Sequence, residues 1–521
     1  MTKWRPLLAV CLGTFMLLLD ITIVVVALPD MGHALGASLS DLQWVIDIYA
    51  LALAAVLMGA GAMADVVGRR KMYLLGTALF SLASLACGLA TNPAMLVAAR
   101  GIQGIGAGAM FATTLSLLGA TYSGRDRSIA LGTWGAVSGA AAALGPILGG
   151  LLTQGIGWRW IFYVNLPLSA AAIALTLLAV RENKGTGRRI DWPGTATFAV
   201  FASATAYAVL RAGALGWTSA EPRTAAVLAA AALLAFILIE RRAPHPMLDL
   251  ALFRRPAFVG FMLGALALNA AAFGVLPYTS IWLQTLLGLS PVRGGLVLIP
   301  LAAAAFVTAA AGSRALDRLP QRWVIGGGLL LIGTGALAQA TLSGTSGWPA
   351  LTTGLILTGI GVGMVNPSVA GAALAAVPPQ QAGMASGAVN TFRQLGYAFG
   401  VAIFGTLTTN RMASALTGKA PDPDAASHAL AGGGAAGLHL PEPVLRSAFA
   451  AGLNTANVVA GSVALAAGVA VLLLVRPSAS RDARERVATA AGKAPSSTPH
   501  AQPPRPARET PRPPSPGSPG A

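Results

Sequence analysis

The chain has 521 residues, of which 55% are hydrophobic and only 10% charged, with a mean hydropathy of +0.68 and a formal net charge of +17. Soluble domains carry about 25% charged residues, so the composition excludes an ordinary water-soluble protein and describes a polytopic membrane protein. The positive charge does not mark a nucleic-acid binder, because it sits in short segments between apolar runs and in the C-terminal tail, where orientation signals sit.

Fourteen apolar stretches are each expected to cross a bilayer, which takes about 20 residues in a helix. They cover 7–28, 42–64, 72–90, 94–120, 128–152, 160–180, 192–210, 224–240, 257–281, 294–312, 323–341, 349–372, 385–409 and 450–475. Outer-membrane strands would instead alternate in segments of roughly 10 residues. The first run is too long for a cleaved signal peptide and has no small-residue cleavage site before the next span. An even number of spans puts both ends on one side. With the N-terminus in the cytoplasm, the lysines and arginines left outside are Arg159, Arg211, Arg223, Arg293, Arg411, Lys419 and Arg446. Two more, Arg100 and Arg393, lie within spans, and the rest of the 35 fall inside. The positive-inside rule therefore places both termini in the cytoplasm.

Span 1 carries one carboxylate, Asp20, in the middle of Leu17-Leu18-Leu19-Asp20-Ile21-Thr22-Ile23-Val24. A charge at that depth costs roughly 2.5–3.5 kcal/mol on insertion scales, so it needs a partner and a task. Cys11 and Cys87 both fall in apolar spans and read as small core residues, not as a disulfide framework. Span 2 contains Gln43 and Asp47.

The first cytoplasmic hairpin reads Gly61-Ala62-Met63-Ala64-Asp65-Val66-Val67-Gly68-Arg69-Arg70-Lys71. Its glycines permit a tight turn, and Asp65 can cap a helix or pair with the bases. We read it as a gate clasp formed by Gly61, Asp65, Gly68, Arg69 and Arg70, the alternative being a plain positive-inside loop. A weaker echo after span 10, with Asp317 and Arg318, suggests two related halves.

Span 4 holds Arg100-Gly101-Ile102-Gln103-Gly104-Ile105-Gly106-Ala107-Gly108. Arg100 and Gln103 share a face by i,i+3 spacing, and Gly104 and Gly108 let another helix approach closely. No strand precedes these glycines, so they do not read as a nucleotide fingerprint. Span 5 ends in Gly145-Pro146-Ile147-Leu148-Gly149-Gly150, a kink with bulk removed at a helix contact.

In the second half, Asn390, Arg393, Gln394 and Tyr397 recur at i, i+3, i+4 and i+7, one face of span 13. They read as cavity or gate residues, with Arg393 alternatively snorkelling to the cytoplasmic side. Asn269, Phe273, Tyr278, Trp282 and Asn366 are candidates for a substrate path, against the ordinary reading of aromatics as packing or interfacial residues. The outside loop 410–449 contains His428 and His439, which are too far apart and too unsupported to read as metal ligands. The tail after Val475 is basic and rich in Pro, Arg and Ser; it is expected to be disordered, and contact with anionic lipid is the alternative.

These residues together resemble the major facilitator superfamily, specifically its fourteen-helix drug:proton antiporter branch. The marks are Leu19-Asp20-Ile21-Thr22-Ile23-Val24-Val25-Val26-Ala27-Leu28-Pro29, Gln43-Trp44-Val45-Ile46-Asp47-Ile48-Tyr49, the Asp65 hairpin, the Arg100 box and the Gly145-Pro146 box. To these add Trp158-Arg159-Trp160-Ile161-Phe162-Tyr163-Val164-Asn165-Leu166-Pro167 and Gln284-Thr285-Leu286-Leu287-Gly288-Leu289-Ser290-Pro291. The resemblance implies an all-α membrane fold of two six-helix bundles, residues 1–180 and 257–475, with two inserted helices in 181–256 and a tail at 476–521. It also implies alternating access and exchange of protons for a small hydrophobic or cationic substrate. Val25 stands where the branch usually has asparagine, and Val66 where the hairpin usually has a base.

Depth supplies an argument that does not rest on family. At 1.5 Å per residue, Asp20 lies roughly 12 Å, Asp47 roughly 8 Å and Arg100 roughly 9 Å below the outer edges of their spans. We therefore expect a cluster of two carboxylates and one guanidinium that titrates as a unit.

The expected function is a proton-coupled exporter in a bacterial plasma membrane, monomeric and without a cofactor, the alternative being proton-linked uptake. An enzyme or sensor is disfavoured, since no Walker A loop, H-E-x-x-H or G-x-S-x-G is present.

Overall fold

The computed structural model describes residues 2–182, 190–216, 218–316 and 319–475. The basic tail and the pair Asp317–Arg318 lie outside the described residues, as does the side chain of Pro146. Each expected span coincides with helix, and no strand occurs among the described residues.

The first five spans are α1 (Arg5–Leu35), α2 (Leu39–Val67), α3 (Arg69–Gly88), α4 (Pro93–Thr121) and α5 (Gly124–Gly155). Span 6 is broken at Val164 into α6 (Trp160–Tyr163) and α7 (Asn165–Ala179), and the inserted pair is α8 (Trp192–Leu215) and α9 (Ala220–Glu240). Span 9 comprises α10 (Pro256–Phe273), α11 (Leu276–Ile281) and a π turn over Trp282–Leu286. Span 10 comprises α12 (Pro291–Val297) and α13 (Ile299–Leu316), followed by α14 (Gln321–Gln339), α15 (Thr352–Ala375) and α16 (Ala382–Leu416). The outer loop folds a short α17 (Pro423–Ala431) ahead of α18 (Glu442–Leu474).

Eleven helices among the described residues are long and apolar enough to cross a membrane. The other three expected spans, α5, α14 and α16, are helical but diluted by glycine or by polar residues such as Asn390 and Arg393. Local chemistry sets the ends. Ser38 and Asp41 form a reciprocal capping box at the start of α2, which satisfies two backbone donors that the helix cannot. Gly68, at φ +113°, makes the sharp turn from α2 into α3 that a side chain would resist.

The described residues pack as one compact unit. Inside it, the glycines of α4 alternate between two neighbours. A Cβ on Gly104 would lie 2.5 Å from the Tyr49 carbonyl of α2, and one on Gly106 would lie 2.5 Å from the Phe80 amide of α3. In α15, a Cβ on Gly363 would lie 2.5 Å from the Ala305 carbonyl of α13, and one on Gly361 would lie 2.7 Å from the side chain of Ile332 on α14. Thus Gly104-Ile105-Gly106-Ala107-Gly108 and Gly359-Ile360-Gly361-Val362-Gly363 do the same job in the two halves: each wedges one helix between two others. Lipid tails are as apolar as Leu, so such close backbone contact is what holds membrane helices together. The inserted pair rests on the rest through α8, which packs against α2 and α16.

Candidate functional site

Asp20 and Arg100 meet. Arg100 Nη1 donates to Asp20 Oδ2 at 2.5 Å and to Gln103 Oε1 at 2.9 Å, while its Nε donates to the Val45 carbonyl at 3.1 Å. Gln103 Nε2 and Asn165 Nδ2 donate to Asp20 Oδ1 at 3.1 and 2.9 Å, and both also reach the Ser84 hydroxyl. The guanidinium carbon lies 4.1 Å from the centre of the Tyr49 ring, within cation–π range. Five helices converge here: α1 supplies Asp20, α2 Tyr49, α3 Ser84, α4 Arg100 and Gln103, and α7 Asn165. Asp20, Ser84, Gln103, Asn165 and Arg100 are all buried, none more than 1% exposed. Three donors on one carboxylate and one matched positive charge are what burial of such a pair demands. Ser84, Tyr49 and Asn165 were not singled out from the sequence as site residues. A polar residue inside an apolar span was the available signal for Ser84 and Asn165.

Asp47 is not part of this cluster, which corrects the expected three-charge group. Val45 and Tyr49 turn toward Arg100, and Asp47, two residues from each, points about 200° away around the helix axis. It is half-buried on the side of α2 that faces α8, where Trp44 stacks on Tyr207 and Arg211 is the charge that acts on it across space. Arg211 itself is paired with Glu221 at 3.0 Å. Gln43 is exposed. Rise along a helix axis sets the level of Asp47 but not the phase at which α2 presents it.

The Asp65 hairpin spans the two halves. Asp65 Oδ1 and Oδ2 accept from the amides of Gly383 and Met384 at 2.8 and 2.9 Å, at the N-terminus of α16. A carboxylate there meets unpaired N–H groups and the positive end of the helix dipole. Arg69 donates to Asp65 through Nε and Nη2 at 3.1 and 2.9 Å and also to the Pro379 carbonyl. Glycine makes the approach possible: a Cβ on Gly61 would lie 2.5 Å from the Gly383 carbonyl. Arg70 instead stays within its own half, donating to the Leu177 carbonyl at 2.9 Å, and Glu182 accepts from the backbone amides of Arg70 and Lys71. Deeper along the same seam, Ser386 donates to the Ala112 carbonyl at 2.5 Å and Asn390 to the Phe111 carbonyl at 2.9 Å. These contacts close the seam at the end of the bundle where α2 turns into α3. In the Gly-Pro box, a Cβ on Gly145 would collide with Thr22 of α1, while Gly149 and Gly150 are buried and a Cβ on Gly150 would meet nothing within 4 Å.

The polar stripe of α16 is split. Asn390 and Arg393 are buried, Gln394 is half-buried, and Tyr397 is 36% exposed. Arg393 does not snorkel to the cytoplasmic side. Its Nη2 donates to the Asn366 carbonyl at 2.8 Å, and the guanidinium lies 5.1 Å from the Trp134 ring centre of α5, across the seam between the halves. Trp134 is anchored by donation to Thr14 at 2.9 Å. Neither Trp134 nor Thr14 was singled out beforehand, and nothing in its local sequence marks either one. Of the other candidates, Trp282 is buried and its indole N–H has no partner among the described residues, Tyr278 donates to the Val401 carbonyl at 2.8 Å, and Asn269 bonds back to Ala265 on its own helix. Phe273 is half-buried. They are not gathered into the Arg393 group. His428 and His439 are exposed, and no group of three metal-ligating side chains occurs among the described residues.

Comparison with known proteins agrees with this architecture. The profile of the Major Facilitator Superfamily matches residues 10–401. The multidrug resistance protein Stp of Mycobacterium tuberculosis is 37% identical over 417 residues, covering 80% of this chain and 78% of that protein. The tetracenomycin C resistance and export protein of Streptomyces glaucescens is 33% identical over 493 residues, covering 90% and 91%. The methylenomycin A resistance protein of Streptomyces coelicolor is 32% identical, covering 77% and 84%. Among solved structures, the human organic anion transporter MFSD10 (TETRAN) superposes with a TM-score of 0.61 over 90% of this chain and 99% of that one, at 15% identity, a likeness of fold. A helical fold of apolar spans, halves that repeat one glycine wedge, and a profile match over most of its length make this chain a multi-pass plasma-membrane protein that belongs to the major facilitator superfamily.

Proposed function

We propose that the chain exports small hydrophobic or amphipathic drug-like molecules in exchange for protons, as a monomer that needs no cofactor and does no chemistry on its substrate. The observation that carries this reading is the buried Asp20–Arg100 pair. It is a titratable carboxylate held inside a span by a fixed positive charge, and intramembrane carboxylates of this kind mark proton paths. The ionised pair is neutral. A proton on Asp20 leaves Arg100 and its neighbours with an unbalanced positive charge, which favours a rearrangement of α1 against α4. That charge step is what couples the proton gradient to movement of the halves, residues 1–180 against 257–475, about the central site. The seam is closed at Asp65 and Asn390, so in this reading Asp20 takes its proton from the opposite, outer side once the helices around it part. The named relatives, proteins of multidrug and antibiotic resistance, support a drug-like substrate.

The test is transport into everted membrane vesicles under an imposed pH gradient, across a panel of cationic and neutral amphiphiles. Export predicts substrate accumulation that dissipates the gradient and is lost in Asp20→Asn. Accumulation in the opposite sense would identify uptake instead, and none of either would refute both.

A further inference from the structure

Where the inserted pair returns to the cytoplasmic side, two carboxylates face each other. Asp191 caps α8, and its Oδ1 accepts from the Gly194 amide at 2.8 Å. Glu240, the last residue of α9, is only 4% exposed, and its Oε2 accepts from the Leu248 amide at 3.4 Å in the segment that leads to α10. Each group thus has one oxygen engaged. The other two, Asp191 Oδ2 and Glu240 Oε1, are buried and have no hydrogen-bond partner among the described residues. They point at the same place: a Cβ on Gly194 would lie 2.5 Å from the first and 2.7 Å from the second. The two side chains are within hydrogen-bonding reach of each other.

Two ionised acceptors cannot share a buried site stably, because like charges repel and neither can donate. Among the described residues neither Asp191 nor Glu240 forms an ion pair, and no group of three ligating side chains suggests a metal. The surrounding charges among the described residues are accounted for, and Lys184, Arg188 and Arg189 lie outside the described residues. On α2, Asp65 is held by Arg69. In the connecting segment, His245 and Asp249 line the adjacent cavity, while Arg241 and Arg242 are exposed. From the segment ahead of α16 come only the neutral Gln380 and Gln381.

We propose that Asp191 and Glu240 bind one proton between them, drawn from the cytoplasm, as a second proton site that lies outside the Asp20–Arg100 cluster. On uptake, a proton from cytoplasmic water bonds to one of the two facing oxygens, which then donates a hydrogen bond to the other. The pair passes from two negative charges to one. The access route is a cavity of about 270 Å³ lined by Asp191, Thr195, His245, Asp249 and the gate carboxylate Asp65. Thr195 ties the site to the gate helix, since its methyl fills the space that a side chain on Gly59 of α2 would take. Loss of the proton makes the carboxylates repel, frees Glu240 from the Leu248 amide and loosens α8 from α2. The inserted helices thereby sense cytoplasmic pH beside the gate.

The proposal does not depend on the exporter reading, and infrared difference spectroscopy of the full-length protein in lipid tests it. The expected result is a carboxylic-acid carbonyl band that titrates with pH and shifts on deuteration. Asp191→Asn and Glu240→Gln should each remove it, while Asp20→Asn, which should stop transport, should leave it in place. Each amide variant keeps a donor to the remaining carboxylate and so holds the fold. In vesicles at constant driving force, wild-type transport should fall as cytoplasmic pH rises, and both variants should lose that dependence. Survival of the band in both variants, its absence from the wild type, or its replacement by a dialysable Mg²⁺ or Ca²⁺ would overturn the proposal.

Discussion

Arg100 holds Asp20 with an Nη1–Oδ2 distance of 2.5 Å, and the two side chains are 1% and 0% exposed. The contrast is the surface pair Lys3–Asp126, whose side chains are 58% and 37% exposed. Exposed pairs are typically worth about 0–1 kcal/mol, whereas stranding one partner of a buried pair costs about 3–5 kcal/mol. Asp20→Asn and Arg100→Gln should therefore each lower thermal stability markedly, and the double variant should recover part of the loss. Transport should be absent in all three. Thermal unfolding in detergent alongside vesicle transport checks this, and a double variant no more stable than the singles would deny the pairing.

Asp47 gives the complementary case. It lies on the opposite face of α2 from Tyr49, and among the described residues no hydrogen bond or ion pair joins it to the Asp20 network. Asp47→Asn should shift stability by less than about 1 kcal/mol, as substitutions away from buried networks do. The Asp20→Asn loss should be the same in an Asp47→Asn background, within the additivity expected of independent sites.

The Asp65 carboxylate takes two amide hydrogen bonds from the start of α16 and two from Arg69. Hydrogen bonds to a charged group are worth about 1.5–3 kcal/mol each. Asp65→Asn removes the charge but not the shape, and it should shift the population toward states open at the cytoplasmic end by at least tenfold. Spin labels on the cytoplasmic ends of α2 and α16 should report a longer mean distance. An unchanged distance distribution would remove Asp65 from the gate.

The glycine wedges predict opposite outcomes for one chemical change. Gly106→Ala places a methyl group 2.5 Å from the Phe80 amide, and overpacking of that kind costs about 1–3 kcal/mol. Gly327→Ala, on α14, meets nothing within 4 Å and should stabilise the helix by about 0.5–1 kcal/mol. Unfolding midpoints of the two variants should move in opposite directions.

Much of this protein was legible in one dimension. Hydropathy located the helices because a bilayer demands a continuous run of apolar residues. The depth of Asp20 and Arg100 followed from the helical rise alone. Rotation about the axis did not follow. Val45, Asp47 and Tyr49 are neighbours in sequence, and only the packing of α2 against α4 and α8 decided that Tyr49 meets Arg100 while Asp47 meets the inserted helices. The same limit hid the partners of Asp65, which lie more than 300 residues away on the amides of Gly383 and Met384, and the meeting of Asp191 with Glu240. Sequence by itself determined which segments are apolar enough to enter a membrane, because solvation acts on each segment separately. The tertiary structure decided which of those costly groups face one another, because that depends on the phase at which helices dock.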